Sequence, residues 1–550
     1  MRLFVTFILF AISFVSIAQT QKIHIIHADN TLKDEVKYPD AIVAIGNVMV
    51  EHEGATLSCK QALIYQKQNI IKAFGDVRMN QGDTLTQTSK YVHYNGNTKQ
   101  AESWGHVVLK NPSMTLKTDT LHFDRVEQVL FYKNHATIQD ETNTLESDIG
   151  HYFLETSKFQ ANSRVLITNP DHKITSDELD YYTQTEDAFL YGPTTIIDTK
   201  NNNTLYCEKG YHNSKTRISH FIKKAKILYK DRLIEGDSLY YDENRKFASA
   251  TGNITVTDTI NNSIIKGQYS EYFQALDSVF VVGKPTAISL VEKDSSFLHG
   301  DTLLVTGKPD FRIVRAFHHV KFFKKDLQGK CDSLYAVEAL GLTKMYRNPV
   351  LWSKENQITG DSIYFLSNKE TETLDSLKVY NHAFVVKKDS TDGFSQIKGR
   401  NLFGKFNDQE LENIHVYGNS EMINYNRNEK KELLGITKMS CSDMEFLFEK
   451  GELHIIRFLT SPSGKTYPPS KFPESEAQLQ DFIWREEERP LTKNDIYRHD
   501  KGDEAIINAI RKAESKARTE KIEDLQKEKR IQNKKKKKPD EKDKEESGKI

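Results

Sequence analysis

Apolar and polar residues alternate with period two through most of this chain. Leu121 and Phe123 flank a polar His122, and the spacing returns in Leu179 and Tyr181, Leu239 and Tyr241, Leu303 and Val305, and Ile363 and Phe365. It returns again in Val48 and Val50, Val77 and Met79, Val107 and Leu109, and Ile254 and Val256. A two-residue period puts these side chains on one face of a strand and the intervening polar residues on the other. Each segment therefore predicts a strand with one buried and one wet face.

Two short patterns introduce these strands by turns. A small residue, an acid, a variable residue and then Leu or Ile open one set, as in Thr118-Asp119-Thr120-Leu121, Ser176-Asp177-Glu178-Leu179, Gly236-Asp237-Ser238-Leu239 and Gly360-Asp361-Ser362-Ile363. Gly-Asn or Gly-Asp before Val or Ile opens the other, as in Gly46-Asn47-Val48, Gly75-Asp76-Val77 and Gly252-Asn253-Ile254. Gly46, Gly75 and Gly105 are 29 and 30 residues apart, and Asp119, Asp148 and Asp177 are 29 and 29 apart. A period of about 30 residues signals stacked repeats, and about fifteen units fill residues 19–460. Gly-Asn and Gly-Asp tolerate positive φ, which places them at corners or hairpin turns. The acid of the other pattern is expected to cap its own backbone.

Strands with one apolar face must bury it against another sheet. The expected fold is all-β: stacked antiparallel repeats forming a twisted jelly-roll or V-shaped trough over residues 19–460, as two or more fused modules or one long stack. The ends differ. Met1-Arg2, an apolar run from Leu3 to Ile17 and the small residues Ser16 and Ala18 have the form of a secretory signal peptide, with cleavage expected after Ala18. Pro462, Pro468 and Pro469 mark residues 461–502 as a linker. A charged helix is expected over 503–532, with Ile506, Ile510, Ala513 and Ala517 on one face. The basic and acidic tail, 533–550, has too few apolar residues to offset the entropy of ordering and is expected to be disordered.

Composition narrows the functional classes. Lys+Arg and Asp+Glu number 77 each, so the formal net charge is zero, which argues against a dedicated nucleic-acid binder. At 37% hydrophobic and 28% charged, the chain is not a polytopic helical membrane protein. Gly236-Asp237-Ser238-Leu239 spells a serine-esterase motif, but the slot of Ser238 holds Thr84, Thr120, Glu178, Thr302, Ser333 and Ser362 in other copies. A nucleophile would not be one of many tolerated turn residues, and no partner motif for a base accompanies it. HExxH, phosphate-cradling glycine loops and CxxC are absent, and His318-His319 would point to opposite faces of a strand, so neither metal nor cofactor is expected. Cys59, Cys207, Cys331 and Cys441 are 148, 124 and 110 residues apart, or roughly four repeats. Even one strand step of about 4.8 Å per repeat separates them by nearly 20 Å, too far for a disulfide. Four free, buried thiols are expected.

With its export signal, its alternating Gly-Asn/Asp and small-Asp-x-Leu turns and its β-only body, the chain resembles the organic-solvent-tolerance (OstA-like) family. That family includes the lipopolysaccharide carrier LptA and the N-terminal domain of the translocon LptD. The resemblance is clearest from Ala41 to Tyr241, including Ala44-Ile45-Gly46-Asn47-Val48 and Leu57-Ser58-Cys59-Lys60-Gln61-Ala62-Leu63-Ile64-Tyr65, and weaker copies continue to about Phe458. It implies a non-enzymatic bridge in the periplasm of a Gram-negative envelope, either free or associated with the outer membrane. Acyl chains of lipopolysaccharide or its lipid A would slide between the sheets. Other transport components, or further copies head to tail, would join by β-edge pairing. The inward residues named in the first paragraph are then the candidates for acyl contact. The chain departs from the family in its length and in lacking a recognisable outer-membrane barrel. Two alternatives stay open: a structural or adhesive β-solenoid at the cell surface, and a parallel β-helix enzyme acting on polysaccharide.

Overall fold

The computed structural model describes residues 21–500, except 261, 291–294, 309, 369–372, 391–392, 408–409, 429 and 450–451. The export signal (1–18), the charged helix (503–532) and the basic and acidic tail (533–550) lie outside the described residues. What is described is all-β, and its strands pair antiparallel throughout. The chain divides into two compact units. Unit 1 comprises Met1–Ile260 and Gln268–Ala275, and unit 2 comprises Asn261–Gly267 and Leu276–Ile550.

In unit 1 the period-two pattern becomes long strands such as Ile42–His52, Ala55–Tyr65, Ile70–Gln81 and Leu85–Asn95. Each neighbouring pair slips register near its middle, for example between Ile45 and Val48 and between Phe74 and Val77. The slip falls on two consecutive left-handed residues: Gly46 (φ 78°) with Asn47 (φ 45°), and Gly75 (φ 75°) with Asp76 (φ 48°). The Gly-Asn and Gly-Asp pairs are therefore corners within strands. The bulge folds each strand and splits the ladder into two leaves. Leaf A includes residues 61–65 and 70–74, and leaf B includes residues 55–59 and 77–81.

The acid pattern completes the same corner. In the strand beside Gly252-Asn253, Asp237 accepts a hydrogen bond from Asn253 Nδ2 at 2.9 Å, and a Cβ on Gly252 would overlap that carboxylate. Asp148 accepts from Arg164 Nε and Nη2 at 2.7 Å each, and Glu208 is paired with Lys223 and Lys224 at 2.8 and 2.6 Å. These acids therefore bind the neighbouring strand's corner instead of capping their own backbone. Ser163-Arg164, Lys223-Lys224 and, in unit 2, His318-His319 are corners without glycine, all with positive φ. His318 and His319 contact Asp332 and Asp301, each at 2.9 Å. The histidine pair is thus a corner, where the strand rule for opposite faces does not apply.

Unit 2 repeats the design in strands such as Ile313–Lys324, Leu327–Val337, Leu374–Lys388 and Phe394–Asn407. Its inner core includes Leu303, Ala316, Met345, Ile363, Val379 and Val416. The stretch expected as a linker is instead packed. Ser463–Tyr467 is a strand on Leu433–Glu449, and the residues up to Asp500 form a strap across the outer surface of the unit 2 leaf that carries residues 320–324 and 327–331. Adjacent residues show the two faces: Ala383 and Val385 belong to the inner core, whereas Phe384 and Val386 pack with Leu479, Phe482 and Trp484 of the strap.

Candidate functional site

The extended length of an 11-residue strand is about 36 Å. In unit 1 the turns at opposite strand ends nevertheless touch, so the two leaves face each other across a mouth. Rim A carries the turns around residues 66–69, 96–99 and 125–128, and rim B those around 53–54, 82–84 and 140–143.

The mouth of unit 1 is bonded shut. Arg125 on rim A donates from Nη1 to the carbonyl of His52 at 3.2 Å and to Tyr94 Oη at 2.8 Å, and from Nη2 to the carbonyl of Glu53 at 3.2 Å. Lys99 lies 2.6 Å from Glu53, and Gln81 Nε2 donates to Gln128 Oε1 at 2.9 Å. Farther along, Tyr181 donates to Asp140 and accepts from Asn143, both at 2.8 Å. Arg217 reaches Asp171, His172 Nε2 lies 3.2 Å from Glu243, and Gln274 Nε2 donates to Tyr229 Oη at 2.7 Å. His212 sits in this polar layer with Nδ1 2.9 Å from Ser219 Oγ; burial pushes its imidazole down to about 3, so it is neutral.

Below this zipper the sequence candidates are packed core. Val48, Val50, Val77, Met79, Val107, Leu109, Leu121, Phe123, Leu179, Tyr181, Leu239, Ile254 and Val256 are all buried, and Tyr241 is half-buried. Val50 and Met79 border a crevice of about 20 Å³ beside His52, Tyr94 and Arg125, no larger than a single water.

Unit 2 has a different mouth. A cavity of about 720 Å³ lies between its rims, within the range of about 300–1,000 Å³ usual for ligand sites. Its walls include Leu298, Phe322, Leu327, Leu334, Ala336, Leu342, Phe365 and Phe406. The Phe322 and Phe365 rings are 6.1 Å apart. Polar groups mark the rims: Ser289, Lys324, Asp326, Ser353 and Lys354 on one, Glu338, Ser367 and Asn368 on the other. Of the sequence candidates here, Phe365 lines the cavity, whereas Leu303, Val305 and Ile363 are buried core. Sequence reasoning missed the other lining residues. Alternation marks a side chain as inward but does not say whether anything fills the space opposite it.

The strap lies directly behind this cavity. Phe322 and Leu327 face inward, while their neighbours Lys321, Gln328 and Lys330 point outward and are buried beneath the strap. Lys321 Nζ contacts Asp500 and the Arg498 carbonyl, both at 2.7 Å, and Lys330 Nζ contacts Glu488 and Asp500 at 2.5 and 2.9 Å. Side-chain amides hold the strap backbone. Gln357 donates to the Ile483 carbonyl at 2.7 Å and accepts from Arg485 N at 2.6 Å; Gln396 does the same with Ala477 and Leu479, both at 2.8 Å. Burial pushes the Glu488 carboxyl up, but hydrogen bonds from Arg485 and Lys330 outweigh it and hold it at about 2.

The remaining chemistry-bearing residues are structural in their surroundings. Ser238 Oγ lies 3.1 Å from His220 Nε2 on an exposed sheet surface, and the adjacent acid, Asp237, is committed to Asn253. All four cysteines are buried, and burial raises their thiols, Cys59 to about 11 and Cys207 to about 12. Among the described residues, no group of three or more His, Cys, Asp or Glu is arranged to hold a metal ion.

A ladder folded at repeated corners into two facing leaves with an apolar interior defines a β-jelly-roll class. Residues 20–177 match the family described as OstA-like protein, so the resemblance holds over that stretch of unit 1. No curated protein matches the chain. Among 17 matching chains of known structure is LptH, described as the LptA homologous periplasmic component of the lipopolysaccharide transport device from Pseudomonas aeruginosa. It is 16% identical, with a TM-score of 0.17, and the alignment covers 19% of this chain and 73% of that one. A likeness this slight carries no argument about function.

Proposed function

We propose that this protein is a non-enzymatic lipid carrier of the lipopolysaccharide-transport type. In this reading it is exported to the periplasm and shields acyl chains during transport to, and assembly of, the outer membrane. The observation that carries the reading is the apolar cavity between the rims of unit 2. The OstA-like match over residues 20–177 supports it from a separate part of the chain. Enclosing acyl chains stabilises the complex by about 25 cal/mol for each Å² of apolar surface removed from water and needs no bond chemistry. The partners are lipopolysaccharide or a related acyl lipid, and other transport components that add strands to exposed sheet edges. One such edge is Glu452–Leu459, where Leu453, Ile455 and Leu459 are exposed.

One observation favours a second reading, a structural β-solenoid: the interior of unit 1 is bonded shut. Mass spectrometry of lipid extracted from the purified protein separates the two. Acyl lipid in a defined ratio to protein is expected. Recovery of none, together with failure to bind lipid A in a displacement assay, would leave the structural reading.

A further inference from the structure

We propose that the mouth of unit 2 docks on a lipid bilayer, with the apolar tips of one rim seated in its interface so that the cavity opens onto the membrane. This inference rests on the carrier reading and says where the carrier meets its cargo. Three observations carry it: the tips themselves, their place beside the cavity, and the polar turns that stand in their place in unit 1.

Three successive turns on the rim that carries Glu338 each present a large apolar side chain to solvent. Leu276, Phe311 and Leu340 are 71%, 47% and 55% exposed. The turns are neighbours: Ser278 pairs with Thr306, and the Glu338 amide donates to the Arg312 carbonyl at 3.1 Å. A single exposed Leu or Phe needs no explanation, but one in each of three adjacent turns makes an apolar ridge.

The ridge borders the cavity. Glu338, Gly341 and Leu342, on either side of Leu340, line it, and on the facing rim the exposed Leu290 follows Ser289 of the lining. An acyl chain that left a bilayer at this edge would pass from one apolar surrounding to another without crossing water.

The neighbouring charges are of both signs. Lys308 and Asp310 stand on one rim, and Lys324 lies 3.8 Å from Asp326 on the other. Apolar insertion, and not attraction to anionic head groups, therefore has to carry the binding. Tips separated by polar residues suit a bilayer interface, which yields around each of them. A protein partner needs a continuous patch of matching shape.

Unit 1 supplies the contrast. The turns of its rim A include Gly96-Asn97-Thr98-Lys99, Thr183-Gln184-Thr185-Glu186 and Glu243-Asn244-Arg245-Lys246. Among the described turns of that rim, Val126 alone exposes a large apolar side chain. Apolar tips thus accompany the mouth that holds a cavity, and polar turns accompany the mouth that is bonded shut.

The test is flotation of the full chain with phosphatidylcholine vesicles in high salt. Neutral lipid and salt together remove any attraction of the lysine run at 534–538. Binding is expected. Leu276→Asn, Phe311→Asn and Leu340→Asn combined should weaken it by about tenfold or more, with no change in melting temperature because all three are exposed. Val126→Asn should leave binding as it is. If the triple variant fails to fold, Phe311→Trp gives a second reading: brominated phosphatidylcholine should quench it beyond the quenching seen in wild type. No flotation of wild type, equal flotation of the triple variant, or no added quenching would overturn the inference. So would a wild-type dimer that the triple variant loses, which would make the ridge an interface between copies. If lipid A still binds in the displacement assay, any of these results leaves the carrier reading intact; loss of both overturns both.

Discussion

At the mouth of unit 1, Arg125 crosses from one rim to carbonyls of the other, whereas in unit 2 Lys324 and Glu338 stand on opposite rims with a cavity of about 720 Å³ between them. Both units use the same folded strand and the same corner. The difference lies in what occupies the rims and the outer face. Unit 1 spends its rim residues on hydrogen bonds to each other, each worth a net 0.5–1.5 kcal/mol or so. Unit 2 has one of its leaves covered from outside, by the strap. One fold thus yields a closed stack or a stack with a cavity between its rims, depending on where the polar contacts lie.

The largest expected effect separates core from cargo wall. Leu121→Ala in unit 1 should cost about 2–5 kcal/mol of stability, because it empties a fully buried position, and should leave lipid loading per folded molecule unchanged. Thermal unfolding paired with lipid extraction checks this; loss of loading in the folded variant would erase the distinction between the units.

Next is the strap. Asp500→Ala removes the carboxylate partner of the buried Lys321 and one of the two partners of Lys330, which keeps Glu488, and should cost about 1.5–3 kcal/mol, the range for hydrogen bonds to charged groups. Trp484 fluorescence during denaturant unfolding should show the strap releasing early. An unchanged midpoint would mean the strap does not hold the wall.

The zipper gives a smaller effect. Arg125→Met removes the bonds to His52, Glu53 and Tyr94 together and should destabilise unit 1 by about 1–3 kcal/mol without creating lipid uptake. New uptake in that variant would show that unit 1 is a locked trough and not a solid stack.

The pH dependence is the most graded comparison. His212 is held neutral in unit 1, so below its ordinary value of 6.5 the unfolded chain binds a proton that the folded chain refuses. Stability from this group is full above 6.5 and falls by about 1.4 kcal/mol per pH unit as pH drops from 6.5 towards 3. Glu488 in the strap is depressed from 4.5 to about 2, so its contribution is full above 4.5 and is lost only as pH falls towards 2. Melting curves of wild type and His212→Gln between pH 7 and 5 should diverge at the unit 1 transition. Parallel curves would remove His212 as the cause.

Much of the repeat was legible in the sequence, because period-two alternation and a 30-residue spacing are properties of every strand. The corner was only partly legible. Gly46-Asn47 announces positive φ, but Lys223-Lys224 and His318-His319 reach the same conformation because the acids on the neighbouring strand hold them there. The strap was hidden for another reason. It has no period of its own, and Gln357 and Gln396 hold its backbone, so its sequence carries little signal beyond prolines that read as a linker. The cavity was hidden because Leu334 and Leu121 look alike in sequence, and only packing shows which one borders empty space.

The central claim is that cargo sits in unit 2 and not within unit 1. Site-specific photocrosslinking tests it most directly, with a photoreactive phenylalanine analogue placed at Phe322 in one variant and at Phe123 in another, each exposed to radiolabelled lipid. The account expects lipid crosslinked at position 322 and none at 123. Lipid captured at 123 but not at 322 would contradict it.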